Sequence, residues 1–147
     1  MEASEAREFS ERPGFTLIGG RPTRNGPVLV RVDGSRASFE AIRIAVGQAM
    51  TRTCGMVVVD DAAPLSESPH FEDVDERERS VARGIFRNTH VSRVANPSGG
   101  PAGVIGQGEQ LKASLLVLNK DEVRTVAESP ALLARVLDAP FDVLMLG

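Results

Sequence analysis

The sequence predicts an α/β protein built on an open, doubly wound parallel sheet. Short runs of branched apolar residues alternate with segments in which apolar residues recur every three or four positions. The short runs are apolar at successive positions, which is typical of strands covered by helices on both faces. Strands and helices alternate almost throughout, and this order favours a doubly wound sheet.

The first strand–helix unit begins at Val28. The run Val28-Leu29-Val30-Arg31-Val32 lies between Pro27 and Asp33-Gly34, which predicts a buried strand ended by a turn. Ser35 suits a helix N-cap, and apolar residues then follow at helical spacing as far as Gly55. Met56-Val57-Val58-Val59 is the next predicted strand. Two strands joined by a crossover helix are expected to be parallel.

The rest of the chain repeats this pattern. A loop rich in Pro, Ser and acids is predicted over 60–73, and a helix over roughly 74–88. A later helix carries Val104, Ile105 and Leu111, and Ser129-Pro130 starts the last one with an N-cap followed by proline. The remaining predicted strands are His90 to Val94, Leu115 to Leu118 and Asp142 to Leu146.

Length and charge limit the classes of function. The chain has 147 residues, of which 41% are hydrophobic, and this suits one ordinary domain. A net charge of −3, with no Trp or Tyr, disfavours nucleic acid as a partner. Cys54 is the single cysteine, so no internal disulfide is expected.

Residues 1–26 are predicted to be a partly disordered N-terminal extension, and residues 27–147 the folded domain. The start of the chain is acidic and polar, unlike a signal peptide, and no window has the length of a membrane span. Residues 15–18 are a short extended piece that lies on the domain or on a neighbour. We therefore expect a cytoplasmic protein without a membrane partner.

Two segments resemble one known family. The stretch from Val28 to Ser38, with its Val-Asp-Gly-Ser turn, resembles the opening of universal stress proteins, and Leu133 to Leu146 is similar to that family's last helix, Ala-Pro junction and final strand. The resemblance implies a five-stranded parallel sheet of the adenine-nucleotide α-hydrolase-like type, with strand order 3-2-1-4-5. It also implies a dimer through the last strand.

Nucleotide-binding members of that family carry a glycine-rich phosphate loop after the fourth strand. In this chain the corresponding positions, 119–130, contain no glycine: Asn119 and Glu122 take the places of the first two glycines, and Ser129-Pro130 those of the terminal Gly-Ser pair. Proline has no N–H, and a carboxylate about 4 Å from a phosphate charge opposes it by about 4 kcal/mol. We predict that the chain does not bind ATP in the family's manner and needs no cofactor.

An adenosine site is the alternative. The resemblance places Asp33 at the contact to adenosine and Val32 and Val59 in the adenine pocket, with Lys120 or Arg124 replacing the glycine cradle. The ligand would then be ATP or AMP. The simpler interpretation is that Asp33-Gly34 turns the chain and Ser35 caps a helix. The candidate site residues are Val32, Asp33, Gly34, Ser35, Val59 and Asn119.

No pattern in the sequence indicates catalysis. Ser98-Gly99-Gly100 follows the third strand, whereas pyrophosphate-binding loops of α-hydrolases follow the first. His70 and the acids at positions 72, 73 and 75 are the solvated face of a loop and early helix, with no metal-ligand spacing. Cys54 has no sequence link to a histidine. We therefore predict no enzyme and no metal site.

The sequence favours a regulatory or stress-response protein that acts by protein interaction. An unpaired apolar edge strand invites a partner. We therefore predict a homodimer, alongside a protein partner that the sequence does not identify. The predicted dimer interface is the final strand, at Val143, Leu144, Met145 and Leu146.

Overall fold

The structure is a computed structural model that describes residues 15–19, 26–61, 69–96 and 98–147. These residues form one sheet with helices on both of its faces. Its strands are β1 Phe15–Ile18, β2 Val28–Val32, β3 Met56–Asp60, β4 Val91–Ala95, β5 Leu115–Leu118 and β6 Asp142–Leu146. The helices are α1 Arg36–Arg52, α2 Glu76–Arg87, α3 Gly100–Gln110, α4 Lys120–Glu128 and α5 Pro130–Asp138.

The sheet has the order β1-β6-β5-β2-β3-β4. Strands β2 to β6 pair in parallel, and β1 pairs antiparallel with β6. Counted from β2, the parallel strands have the order 3-2-1-4-5, so the predicted fold class is confirmed. The described part of the chain adds a sixth strand to the five that were predicted.

Helices α1 and α2 cover one face of the sheet, and α3, α4 and α5 cover the other. Side chains alternate between the two faces along β2. Val28, Val30 and Val32 therefore pack beside α1, whereas Leu29 and Arg31 point to the side of α3, α4 and α5. Among the described helices, none is long and apolar enough to cross a bilayer.

The turn after β2 has the predicted form. Gly34 has φ +87°, and a Cβ there would lie 2.9 Å from the carbonyl oxygen of His70, so glycine is required. Ser35 is the N-cap of α1, and its Oγ accepts a hydrogen bond from the backbone N–H of Ser38 at 3.1 Å. The turn therefore lets α1 begin directly after the carboxyl end of β2.

Helix α4 occupies the segment that aligns with the family's phosphate loop, and our sequence analysis did not predict it. Asn119 and Glu122 form a capping box in which each side chain accepts a hydrogen bond from the other residue's backbone N–H. Val123, Val126 and Ala127 then bury one face of the helix against the core. The segment without glycine thus forms the start of a helix.

Strand β1 changes the expected dimer edge. It lies within the predicted N-terminal extension and pairs with β6 in the register Phe15↔Leu146 to Ile18↔Val143. The outer edge of Val143, Leu144, Met145 and Leu146 is therefore already paired inside the chain. The premise of an unpaired final strand was wrong, although the homodimer itself stays a prediction. Residues 1–14 and 20–25 lie outside the described residues.

Detaching β1 is expected to expose the edge of β6. Ile18 packs against the core, so Ile18→Asp should weaken the β1–β6 pairing and lower the free energy of unfolding by about 1–2 kcal/mol. The uncovered apolar edge should then produce concentration-dependent association, measured by size-exclusion chromatography with light scattering.

The matched control is the neighbouring residue. Leu17 is 54% exposed, so Leu17→Asp should change stability by no more than about 0.5 kcal/mol and should not produce the added association expected of Ile18→Asp. Wild-type elution of Ile18→Asp at every concentration would show that β1 does not protect this edge.

Candidate functional site

The side chain of Arg31 lies at the carboxyl edge of the sheet and meets acids from three elements. Its Nε and Nη2 donate to Oδ2 of Asp61 at 2.9 and 2.6 Å. Nη2 lies 3.5 Å from Oδ2 of Asp33, and Nη1 lies 3.7 Å from Oε2 of Glu122. We call these four residues the Arg31 cluster. Only 13% of the Arg31 side chain is exposed, so the guanidinium exchanges most of its water for these carboxyl groups.

Asp61 connects this cluster to the neighbouring strand and helix. Its backbone N–H donates to the carbonyl of Val32 at 2.9 Å, which holds it beside the end of β2. Its Oδ1 accepts from Nδ2 of Asn96 at 2.6 Å, and its Oδ2 lies 3.4 Å from the backbone N of Gly100, the first residue of α3. One carboxylate thus joins β2, the residue after β4 and the start of α3.

Asp33 is tied to the start of α1. Its Oδ1 accepts a hydrogen bond from the backbone N–H of Ser35 at 2.9 Å. Burial by itself raises the pKa of Asp33, but hydrogen bonds from Ser35 and the charge of Arg31 outweigh it and hold the pKa below its ordinary value. Asp33 is therefore ionised at neutral pH, and its bond to Ser35 matches the simple turn-and-cap interpretation.

Glu122 is the most deeply buried acid of the cluster, with 1% of the residue exposed. Its Oε1 accepts from the backbone N–H of Asn119 at 3.0 Å, while its Oε2 accepts no hydrogen bond from the described residues. Burial is the main cause that raises the pKa of Glu122 to about 7, with Asp33 and Asp61 adding to it and Asn119 and Arg31 opposing it. Glu122 therefore exists in both protonation states near neutral pH.

The structure brings only some of the predicted site residues together. Asp33 belongs to the Arg31 cluster, and Asn119 contacts the cluster through its capping box with Glu122. Val32 and Val59 are both fully buried, and their side chains pack on opposite faces of the sheet. Gly34 and Ser35 form the turn. The predicted adenosine site as a whole stays a prediction.

Sequence reasoning missed Arg31, Asp61, Asn96 and the buried position of Glu122. A signal for Arg31 was present, because it is the one charged residue in an otherwise apolar strand. Asp61 follows the next strand directly, and the carboxyl ends of parallel strands lie at one edge. These two facts together were sufficient to suggest the pair.

The cations proposed to replace a glycine cradle lie outside this cluster. Lys120 is exposed and lines a groove of about 430 Å³ beside Ser35 and Arg36. Arg124 is exposed and lies 3.8 Å from Asp121 of its own helix. The N–H of Glu122, a donor that a helix start offers to anions, is bonded instead to Oδ1 of Asn119 at 2.9 Å.

A second groove lies at the opposite, amino edge of the sheet. It has a volume of about 460 Å³, and Met50, Cys54 and His90 are among its lining residues. It is remote from the Arg31 cluster and from the predicted site residues. Within the described ranges, no three His, Cys, Asp or Glu side chains are grouped so that they could hold a metal ion.

Replacing Glu122 by Gln tests the burial of this acid. A carboxyl with a raised native pKa stabilises the fold fully below its unfolded pKa of 4.5, and that contribution is lost as the pH rises through about 7. At about 1.36 kcal/mol per pKa unit, the shift amounts to about 3 kcal/mol. We expect the free energy of unfolding of wild type to fall relative to that of Glu122→Gln between these pH values, measured by urea titration.

Glu128→Gln provides the matched control, because Glu128 is exposed at the end of the same helix. Its pH profile should run parallel to that of wild type. Parallel profiles of wild type and Glu122→Gln across this range would contradict the buried placement of Glu122.

Solved structures with this architecture are similar to the chain. A universal stress protein in complex with cAMP has 22% identity and a TM-score of 0.51, covering 83% of this chain and 96% of that chain. A universal stress protein from Archaeoglobus fulgidus has 15% identity and a TM-score of 0.50, covering 83% and 93%. No protein-family model matches the chain, and no curated protein sequence matches it. The chain therefore has the fold of the universal stress proteins, as the segments Val28 to Ser38 and Leu133 to Leu146 predicted.

Proposed function

We propose that the chain is a regulatory, stress-response protein of the universal stress type that acts through protein contacts and does not bind ATP in that family's manner. The observation that carries the proposal is the Arg31 cluster. It supplies three acids and one guanidinium at the carboxyl edge of the sheet, where open α/β proteins bind their ligands.

A triphosphate meets electrostatic opposition at this edge. Asp33 and Asp61 carry negative charge, and Arg31 already donates two hydrogen bonds to Asp61. Each carboxylate within about 4 Å of a phosphate opposes it by about 4 kcal/mol at an intermediate dielectric. Glu122 adds a third negative charge as it ionises near neutral pH. The positive charge of Arg31 is thus neutralised by the chain's own acids and is not available to a phosphate ligand.

Surface features support protein contacts as the mode of action. Met50 is 77% exposed beside the groove at the amino edge, and Leu17 is 54% exposed on the edge strand β1. An edge strand offers unpaired backbone groups to a second chain. A homodimer that pairs through β6 requires β1 to detach from β6. A homodimer that pairs through the outer edge of β1 does not require this. The proposal includes no catalytic activity and no cofactor.

Adenine-nucleotide binding is the second candidate. It is favoured by the cAMP complex of the similar universal stress protein and by the position of Asp33 at the end of β2. A cyclic nucleotide or AMP carries less negative charge than ATP and meets less repulsion from the Arg31 cluster. The second candidate therefore predicts an affinity order in which cAMP or AMP binds better than ATP.

A nucleotide titration separates the two candidates. We expect no change in melting temperature with millimolar ATP, ADP, AMP or cAMP, and no nucleotide in mass spectra of the purified protein. A ligand at a hundredfold excess over its Kd stabilises a protein by about 2.7 kcal/mol, which moves the melting temperature by several degrees.

The control variant is Asp33→Ala. Stabilisation of wild type by AMP or cAMP that disappears in Asp33→Ala would overturn our first candidate in favour of the second. Stabilisation by ATP in both proteins would contradict the electrostatic basis of the proposal.

A further inference from the structure

The carboxylate of Asp61 is held by a donor set that proteins also use for external oxyanions. Arg31 donates from Nε and Nη2 at 2.9 and 2.6 Å, and Asn96 donates from Nδ2 at 2.6 Å. The backbone N–H of Gly100, at the start of α3, lies at 3.4 Å. A guanidinium, an amide and a helix-start N–H together form a typical oxyanion cradle.

These donors are held in place by contacts other than those with Asp61. Nδ2 of Asn96 also donates to the carbonyl of Gly100 at 3.1 Å, and the Asn96 side chain fills the space that Gly103 leaves open, where a Cβ would lie 1.6 Å from Oδ1. Gly99 and Gly100 have φ values of +67° and +58°, so the turn into α3 requires their conformational freedom. Arg31 is held by Asp33 and Glu122. The cradle should therefore persist without the Asp61 carboxylate.

A second observation indicates binding capacity that the chain does not use. Oε2 of Glu122 is buried, accepts no hydrogen bond from the described residues and lies 3.7 Å from Nη1 of Arg31. Buried polar atoms without partners are uncommon in native proteins. Glu122 faces Nη1, whereas Asp61 is bonded to Nε and Nη2, so Glu122 still holds Arg31 and leaves those two donors available when Asp61 is absent.

We propose that Arg31, Asn96 and the start of α3 form a binding site for a single phosphate group, which the chain keeps occupied with its own Asp61 carboxylate. An external phosphate binds when that carboxylate is removed from the cradle. This site lies at α3, not at the segment after β5 where Asn119 and Glu122 stand. The inference goes beyond the proposed function, because it does not depend on any nucleotide.

Asp61→Ala tests the site directly. Inorganic phosphate should stabilise this variant in a saturable manner, measured by thermal shift and calorimetry against sodium chloride at equal ionic strength. We expect phosphate to bind the variant at least about tenfold more tightly than wild type, the factor that one charge-assisted hydrogen bond contributes.

Two controls separate the cradle from a general loss of negative charge. Asp33→Ala also removes a carboxylate near Arg31, but Asp33 accepts no hydrogen bond from Asn96 or Gly100, so its response to phosphate should equal that of wild type. The double variant Arg31→Met, Asp61→Ala should lose the phosphate response. If Asp61→Ala does not fold cooperatively, Asp61→Ser, which also withdraws the carboxylate from the cradle, takes its place in the same comparison.

Equal phosphate affinity of wild type and the Asp61 variant would overturn the inference. Retention of binding in the double variant would do so too, because the guanidinium would then have no part in it. ATP binding by wild type would count against the proposed function and would leave this comparison intact.

Discussion

The hydrogen-bonded ion pair between Arg31 and Asp61 organises the carboxyl edge of the sheet. Burial by itself lowers the pKa of the Arg31 guanidinium, yet the hydrogen bond to Asp61 and the charges of Glu122, Asp61 and Asp33 outweigh it, so that the pKa is raised and the group stays charged. A buried cation is tolerated only when partners compensate its lost hydration. The hydrogen bond to Asp61 is the largest of these favourable contributions, and the remaining bonds of Asp61 join it to Asn96 and to the start of α3.

The position of this pair is the basis of our proposal that the chain has the fold without the family's manner of ATP binding. In an open doubly wound sheet, ligands bind where the strand order reverses, and here β2 lies between β3 and β5 at that point. Arg31 is on β2, Asp61 follows β3, and Glu122 follows β5 by four residues. The crevice at this point of the sheet is thus occupied by the side chains of Arg31, Asp61 and Glu122. Under our proposal, the same sheet order serves both a protein that binds a nucleotide and one whose crevice is filled by its own side chains.

The sequence carried enough information for the fold and less for the site. Periodicity and capping residues are local signals, and they predicted the parallel strands, the Gly34 turn and the Ser35 cap. Two of the three partners of Arg31, Asp61 and Glu122, lie 30 and 91 residues away along the chain, so only the topology brings them to Arg31. Helix α4 could have been predicted from the sequence, because Asn119 and Glu122 have capping-box spacing. The comparison with the family's phosphate loop indicates only that glycines are missing at those positions. Strand β1 is four residues long, and its pairing with β6 depends on the folded sheet.

A double-mutant cycle on Arg31 and Asp61 tests most directly whether their interaction organises the carboxyl edge of the sheet. The free energies of unfolding of wild type, Arg31→Met, Asp61→Asn and the double variant are obtained from urea titrations at constant ionic strength. Because the pair is partly buried and joined by two hydrogen bonds, the account predicts a coupling energy of about 1.5–3 kcal/mol. Additivity of the two single substitutions to within about 0.5 kcal/mol would contradict the claim that this interaction organises the edge.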